Sequence, residues 1–337
     1  MRCPLCRIPA FRRLRGALAR ILALCLLFAV AACDQARDPV APEETVGEGS
    51  SAADPGPVGL ATLGTSRIAF MINNDDTESS DIWTIGPGGG GLSRLTSWSG
   101  SEWDPTWSYD HQRLAMVRVR PDANNVMHSD IFLMNADGSN KRWARSTPYV
   151  DDMMEPSWSP DGKRLVVTLR LQSVLVLATL ELSTGNLALV APKGVFGLQG
   201  RYASYDPTGK SIIYLSALDG AVHRFVPGGA DEILVASPWQ IGGAALSPDG
   251  TKLAYSRLVT TTNYEILVLT LATHASKRLT FNAAEDSGPT WSPDGTRLAF
   301  LSRRSGSYQV WTMNAATGGS LTQVTKLNQP SSPAWAH

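Results

Sequence analysis

The pentapeptide Trp-Ser-Pro-Asp-Gly occurs twice unchanged in this chain, at residues 158–162 and 291–295. Three altered copies read Trp107-Ser-Tyr-Asp-His, Tyr205-Asp-Pro-Thr-Gly and Leu246-Ser-Pro-Asp-Gly. Their first residues, 107, 158, 205, 246 and 291, are separated by 51, 47, 41 and 45 residues, and Trp335 follows 44 residues later. A recurrence of roughly 40–50 residues identifies a repeat architecture, in which each unit buries its apolar faces against its neighbours. No other feature restricts the fold as tightly.

Each copy precedes an apolar run, such as Arg113-Leu-Ala-Met-Val, Arg164-Leu-Val-Val-Thr or Arg297-Leu-Ala-Phe-Leu. In the Ser-Pro-Asp-Gly turn, proline presets φ, aspartate bonds its own backbone and glycine accepts the left-handed region. The flanking runs therefore read as a hairpin. A second hairpin follows, as in Asp130-Ile-Phe-Leu-Met, Asn135-Ala-Asp-Gly, Lys141-Arg-Trp-Ala. Four short antiparallel strands per repeat make the blade of an all-β propeller. Five blades begin with a turn copy. A sixth has three strands, around Arg67-Ile-Ala-Phe, Asp81-Ile-Trp-Thr-Ile and Leu92-Ser-Arg-Leu-Thr, and the orphan Ser332-Pro-Ala-Trp at the C-terminus supplies its missing first strand. The expectation is a six-bladed β-propeller over residues 66–337 whose first blade is closed by the C-terminal strand, hiding edges that would otherwise invite association. A seventh blade would need residues 58–66, too short a stretch. The repeated tryptophans are expected to pack between blades rather than to stack on a sugar, because they recur at one blade position.

The pattern Pro-x-Trp-Ser-Pro-Asp-Gly-x-x-Leu-Ala-Phe, with Arg-Leu-Thr closing several blades, resembles the TolB-like β-propeller repeat from about Arg67 to Trp335. Similar blades occur in periplasmic TolB, in the non-catalytic propellers of prolyl-oligopeptidase-type peptidases and in oligogalacturonate lyases. The resemblance implies the fold and leaves the activity open. The chain departs from the first by lacking room for an N-terminal α/β domain, and from the second by lacking a hydrolase domain.

At the N-terminus, Arg2, Arg7, Arg12, Arg13, Arg15 and Arg20 precede a 12-residue apolar run, 21–32, with no acid before Asp34. A basic region followed by a short apolar core is an export signal; about 20 residues are needed to cross a bilayer as a helix. The ending Val30-Ala31-Ala32-Cys33 resembles the lipobox of bacterial lipoproteins, in which the cysteine is lipidated; an ordinary signal-peptidase site is the alternative. Residues 1–32 are thus expected to be a lipoprotein signal peptide. The Pro-, Gly-, Glu-, Ala- and Ser-rich stretch up to residue 65 then reads as a disordered tether. The only cysteines are Cys3, Cys6, Cys25 and Cys33, so the propeller needs neither disulfide nor thiolate metal site. Removing six leader arginines from a balance of 30 basic and 30 acidic residues leaves 24 against 30, which disfavours nucleic acid as a partner.

Catalytic signatures such as Gly-x-Ser-x-Gly, His-Glu-x-x-His and the EF-hand spacing are absent. Gly209-Lys210-Ser211 lacks the first glycine of a phosphate loop and aligns with the repeat turns. One constellation remains. The crossings into the first strands carry Asp104, Asp152, Glu155 and Asp286, and the ends of the second strands carry Arg118, Arg170, Arg257 and Arg303. These eight residues are expected at the channel mouth, either as mutual surface ion pairs worth about 0–1 kcal/mol each or as a binding rim. No cofactor is implied; the acids offer oxygen ligands of the kind Ca²⁺ takes, without a defining spacing. The reading is an exported, lipid-anchored monomer, periplasmic or on the outer face of the cytoplasmic membrane. It is a non-catalytic scaffold for an envelope protein or peptide. The rival is binding or lyase-type cleavage of an acidic polysaccharide.

Overall fold

The computed structural model describes residues 66–336 apart from 75–78, 99, 123, 147–151, 193–196 and 237–239. The expected signal peptide, Cys33 and the tether lie outside the described residues. Among those described, twenty-four strands form six four-stranded antiparallel sheets.

From the axis outward, blade one contains β24 (Pro330–Trp335), β1 (Ile68–Asn74), β2 (Ser79–Ile85) and β3 (Ser93–Arg94). Blade two is β4 (Glu102–Trp107), β5 (Arg113–Pro121), β6 (Met127–Asn135) and β7 (Arg142–Trp143). Blade three is β8 (Asp152–Trp158), β9 (Arg164–Leu171), β10 (Val174–Glu181) and β11 (Leu187–Leu189). Blade four follows with β12 (Gly200–Tyr205), β13 (Ile212–Ser216), β14 (Val222–Phe225) and β15 (Asp231–Val235). Blade five is β16 (Ile241–Leu246), β17 (Lys252–Leu258), β18 (Tyr264–Thr270) and β19 (Ala275–Arg278). Blade six is β20 (Asp286–Trp291), β21 (Arg297–Ser302), β22 (Gln309–Asn314) and β23 (Thr322–Gln323).

The composite first blade closes the ring as expected. Ile68 pairs with Trp335 and Ala69 with Ala334. The Trp335 indole N–H donates to Ser66 Oγ at 2.6 Å, and Ala336 N–H to the Arg67 carbonyl at 2.8 Å.

The repeat turn is built from its own side chains. Ser159 Oγ donates to Asp161 Oδ1 at 2.6 Å and accepts the Arg164 N–H at 2.9 Å, while Gly162 N–H closes on the Ser159 carbonyl at 2.8 Å with φ 64°. Ser247–Asp249 and Ser292–Asp294 repeat the serine–aspartate bond at 2.6 Å. In blade two His111 occupies the glycine position at φ 60°, a conformation that costs a non-glycine residue about 1–2 kcal/mol.

The Arg-Leu-Thr ending has an equally local cause. Thr96 and Thr280 hydroxyls accept the N–H groups of Ile82 and Ile266, each at 2.9 Å, bonding the third strand where the short fourth strand runs out. The preceding Arg94 and Arg278 pair with the buried Asp81 and Glu265. Blade six makes the same contact with Gln323 and Thr325, whose hydroxyl accepts from Val310 N–H at 2.8 Å.

The core lies between blades. One cluster joins Ile68, Phe70 and Ile85 of blade one to Ala299 and Val310 of blade six, with Trp335 in the seam. Another joins Ala69 and Ile82 to Leu114, Met116 and Phe132, with Trp107 between them. Each innermost-strand aromatic thus points back into the preceding blade. The Trp158 indole donates to the Thr106 carbonyl at 3.2 Å, and Trp291 to Ala245 at 2.9 Å. This is the packing role expected of the repeated tryptophans.

Candidate functional site: the central channel and its mouth

Every innermost strand breaks register with its neighbour part-way along its length. The bulged residues are Asp104-Pro105, Glu155-Pro156, Tyr202-Ala203, Gly288-Pro289 and Ser332-Pro333, with Gly242 alone in blade five. A bulge bends the strand and re-aims a side chain, and proline is tolerated there because no ladder N–H is required. Together the bulged residues line a cavity of about 410 Å³ to which all six blades contribute. Asp104, Glu155, Tyr202 and Ser332 hold φ between 48° and 53°. Left-handed non-glycine backbone of this kind persists only where its surroundings impose it, and it clusters at functional sites.

The wall is chemically lopsided. On one side stand Asp104, Glu155 and Tyr202; on the other, glycines 242, 243 and 288 leave the backbone bare. Glu155 is buried and fully engaged. Its Oε1 accepts two bonds from Arg201, at 2.7 and 3.0 Å, and its Oε2 accepts from Tyr202 N–H and the Thr168 hydroxyl, each at 2.8 Å. Arg201 also donates to the Tyr202 hydroxyl at 2.7 Å and lies 4.2 Å above its ring. Burial opposes the charge on Arg201, but Glu155 more than compensates and raises its pKa. Asp104 accepts one bond, from Ser332 Oγ at 2.9 Å. Burial raises its pKa to about 6; the Ser332 bond works against the shift and the Glu155 charge adds to it. The channel therefore offers a carboxyl group held above its ordinary pKa by burial, beside a phenol and a guanidinium.

The eight rim residues expected from sequence separate into groups. Asp104 and Glu155 line the channel itself. Arg118 lies 3.3 Å from the wholly buried Glu102 and 4.2 Å over Trp98. Asp152 pairs with Arg170 at 3.4 Å and accepts the Ser129 N–H at 3.0 Å. Asp286 is completely buried and bound twice by Arg304, at 2.8 and 2.9 Å. Arg257 and Arg303 form no ion pair among the described residues; Arg303 lies 5.1 Å over Tyr308, whose hydroxyl donates to Glu285 at 2.6 Å. Four of the eight, Arg118, Asp152, Arg170 and Asp286, thus pair within their own blade, and two, Asp104 and Glu155, reach the channel wall. Among the described residues, no three His, Cys, Asp or Glu side chains are grouped to hold a metal ion.

Exposed apolar residues mark the same face. Val126 and Met127, Val174 and Leu218 sit where second strands pass to third strands, and Phe281 on the crossing into blade six. Leu218 and Phe281 are 75% and 74% exposed. The opposite face also exposes large apolar residues, Leu92, Val226 and Leu321, at the turns from third to fourth strand, but each is only 41–46% exposed, and the first turns there hold none among those described.

Sequence reasoning missed Arg201, Tyr202, the glycine side of the channel and Ser332. A signal for most of them was present: each channel residue stands three positions before the repeat aromatic, as in Asp104 before Trp107, Tyr202 before Tyr205 and Ser332 before Trp335.

The fold and its bulged channel define a six-bladed β-propeller with an open mouth on the face where the innermost strands begin. Residues 226–337 match the TolB beta propeller domain family model, known as PD40. An uncharacterized protein of Agrobacterium fabrum is 28% identical over 224 residues, 62% of this chain and 70% of that protein. The uncharacterized peptidase YuxL of Bacillus subtilis is 29% identical over 203 residues, which is 59% of this chain and 29% of the peptidase. The crystal structure of TolB from Acinetobacter baumannii superposes with a TM-score of 0.68 at 21% identity, covering 80% of this chain and 66% of that one. The chain spans less than two thirds of that TolB and of the peptidase. It is a TolB-like six-bladed β-propeller.

Proposed function

We propose that this protein is an exported binding scaffold that docks an envelope protein or peptide on the channel-mouth face. It acts as a monomer held at the membrane through Cys33, in the periplasm or on the outer side of the cytoplasmic membrane. The observation that carries this reading is that the two most exposed large apolar residues, Leu218 and Phe281, stand with Val126, Met127 and Val174 on the face where the innermost strands begin, whereas Leu92, Val226 and Leu321 on the opposite face are less exposed than those two. Exposed large apolar residues grouped on one surface mark interaction sites, and a rigid scaffold presenting variable loops is the usual arrangement for recognition. Arg170, Arg257 and Arg303 stand at the ends of second strands on the same face and suit a partner with apolar anchors flanked by carboxylates. The TolB-like fold agrees with a protein partner, and the leader with export.

The test is site-specific photocrosslinking in intact cells, with the crosslinker placed at Leu218, at Phe281 and, on the opposite face, at Leu321. Discrete adducts from the first two positions, lost when Phe281→Asp is added to the Leu218 probe, support the reading. Equal labelling from Leu321 contradicts it. Replacing Cys33 with serine should release the protein from the membrane fraction; an unchanged distribution rules out the lipid anchor.

A second reading follows from Arg257 and Arg303, which form no ion pair among the described residues; Arg303 lies over the Tyr308 ring. Guanidinium and aromatic groups together grip an acidic polysaccharide, and release of unsaturated products from oligogalacturonate would favour that reading.

A further inference from the structure

The turn in blade two departs from the repeat at two positions, His111 in place of glycine and Tyr109 in place of proline, and the second has the longer reach. Pro160, Pro207, Pro248 and Pro293 follow the first turn residue in blades three to six, where blade two has Tyr109. The turn does not require the change: Ser108 Oγ still bonds Asp110, and Ser108 N–H still closes on the Arg113 carbonyl at 2.9 Å. In three other blades the proline packs against the next turn, Pro160 on Gly209, Pro207 on Gly250 and Pro248 on Gly295. Tyr109 reaches further. Its hydroxyl donates to the Tyr205 carbonyl at 3.3 Å, two blades away. Its ring lines a cavity of about 90 Å³ together with Ser157, Trp158, Pro207 and Pro248. That cavity shares Thr106, Ser204 and Ala245 with the large one, so the two are successive sections of a single channel.

We propose that Tyr109 is a plug across the turn-face end of the channel, which makes the channel a one-ended pocket entered only from the mouth. A side-chain tip or chain end entering beside Asp104 and Tyr202 would stop at the phenol, and a chain threading through both faces is excluded. Burial, with a contribution from the Asp206 charge, pushes the Tyr109 pKa up to about 12, which keeps the phenol a neutral donor.

The plug can be tested without knowing a ligand, and independently of the docking reading. In the full chain with its four cysteines changed to serine, a reporter Ser157→Cys probes the narrow section and Ser287→Cys the wide one. Modification by a small charged methanethiosulfonate is timed in the Tyr109 protein, in Tyr109→Pro, which restores the residue of the other turns, and in Tyr109→Ala. Opening the plug should speed reaction at position 157 by roughly fivefold or more, the factor tied to losing one buried hydrogen bond, and leave position 287 unchanged. No change at 157 in either variant overturns the proposal. An equal increase at both positions also overturns it, because it reports a loosened propeller rather than an opened end.

Discussion

The two faces of this propeller are built by opposite rules. The turn face repeats: serine, aspartate and glycine recur because each makes the same three bonds within a tight turn. The mouth face varies: the equivalent channel position holds aspartate, glutamate, tyrosine, serine or glycine, and the surrounding loops expose unrelated apolar side chains. Repetition marks what the ring needs in order to fold, and variation marks what the fold leaves available for recognition. Tyr109 is an exception on the turn face, which is why it invites a separate explanation.

The largest effect should come from breaking the ring where both faces depend on it. Deleting residues 331–337 removes β24, the axial strand of blade one, together with Ser332 and Trp335. Trp335→Ala alone should cost about 3–5 kcal/mol, the usual penalty for truncating a buried aromatic. Deletion should exceed that, and calorimetry showing an unchanged melting temperature would contradict closure by the tail.

A pH-dependent effect of about 2–3 kcal/mol is expected from Glu102. It is wholly buried at the start of β4, and burial raises its pKa to about 7; Arg118 and Thr96 oppose the shift, and the Asp81 charge adds to it. Between its ordinary value of 4.5 and 7 the folded protein binds more protons than the unfolded chain, so stability falls as pH rises through that window. Asp104 adds in the same direction up to about pH 6. Glu102→Gln should match the wild type at pH 4 and exceed it at pH 8, as read by urea unfolding at the two pH values. Parallel curves would mean that Arg118 holds the carboxylate ionised throughout.

A smaller gain is expected on the turn face. His111→Gly should stabilise the protein by about 1 kcal/mol by relieving left-handed strain. A loss of stability there would show that the imidazole makes a contact worth more than the strain.

Much of the fold could be read from the chain because its causes are local. Turn residues, aromatic spacing and Arg-Leu-Thr endings each act within one blade, and their recurrence counted the blades and exposed the missing first strand. The channel was only partly legible. Asp104 and Glu155 stood out because an acid precedes a proline in both, yet the same logic gathered Asp152 and Asp286, which pair inside their blades. Arg201 carried no signal, since its partner Glu155 lies 46 residues away and only blade packing brings them together. The turn-face tyrosine was visible, but as a degraded motif; what it reaches for is set by Tyr205, two blades on.

The most direct measurement of the contrast between the faces is paired substitution with two readouts. Leu218→Asp with Phe281→Asp alters the mouth face, and Leu92→Asp with Leu321→Asp alters the other. All four sites are exposed, so each pair should leave unfolding free energy within about 1 kcal/mol of wild type. Photocrosslinked adducts formed in cells from a probe at Val174 should disappear with the mouth pair and persist with the other. Adducts that survive the mouth pair, or vanish equally with both, would contradict the assignment of recognition to the face where the innermost strands begin.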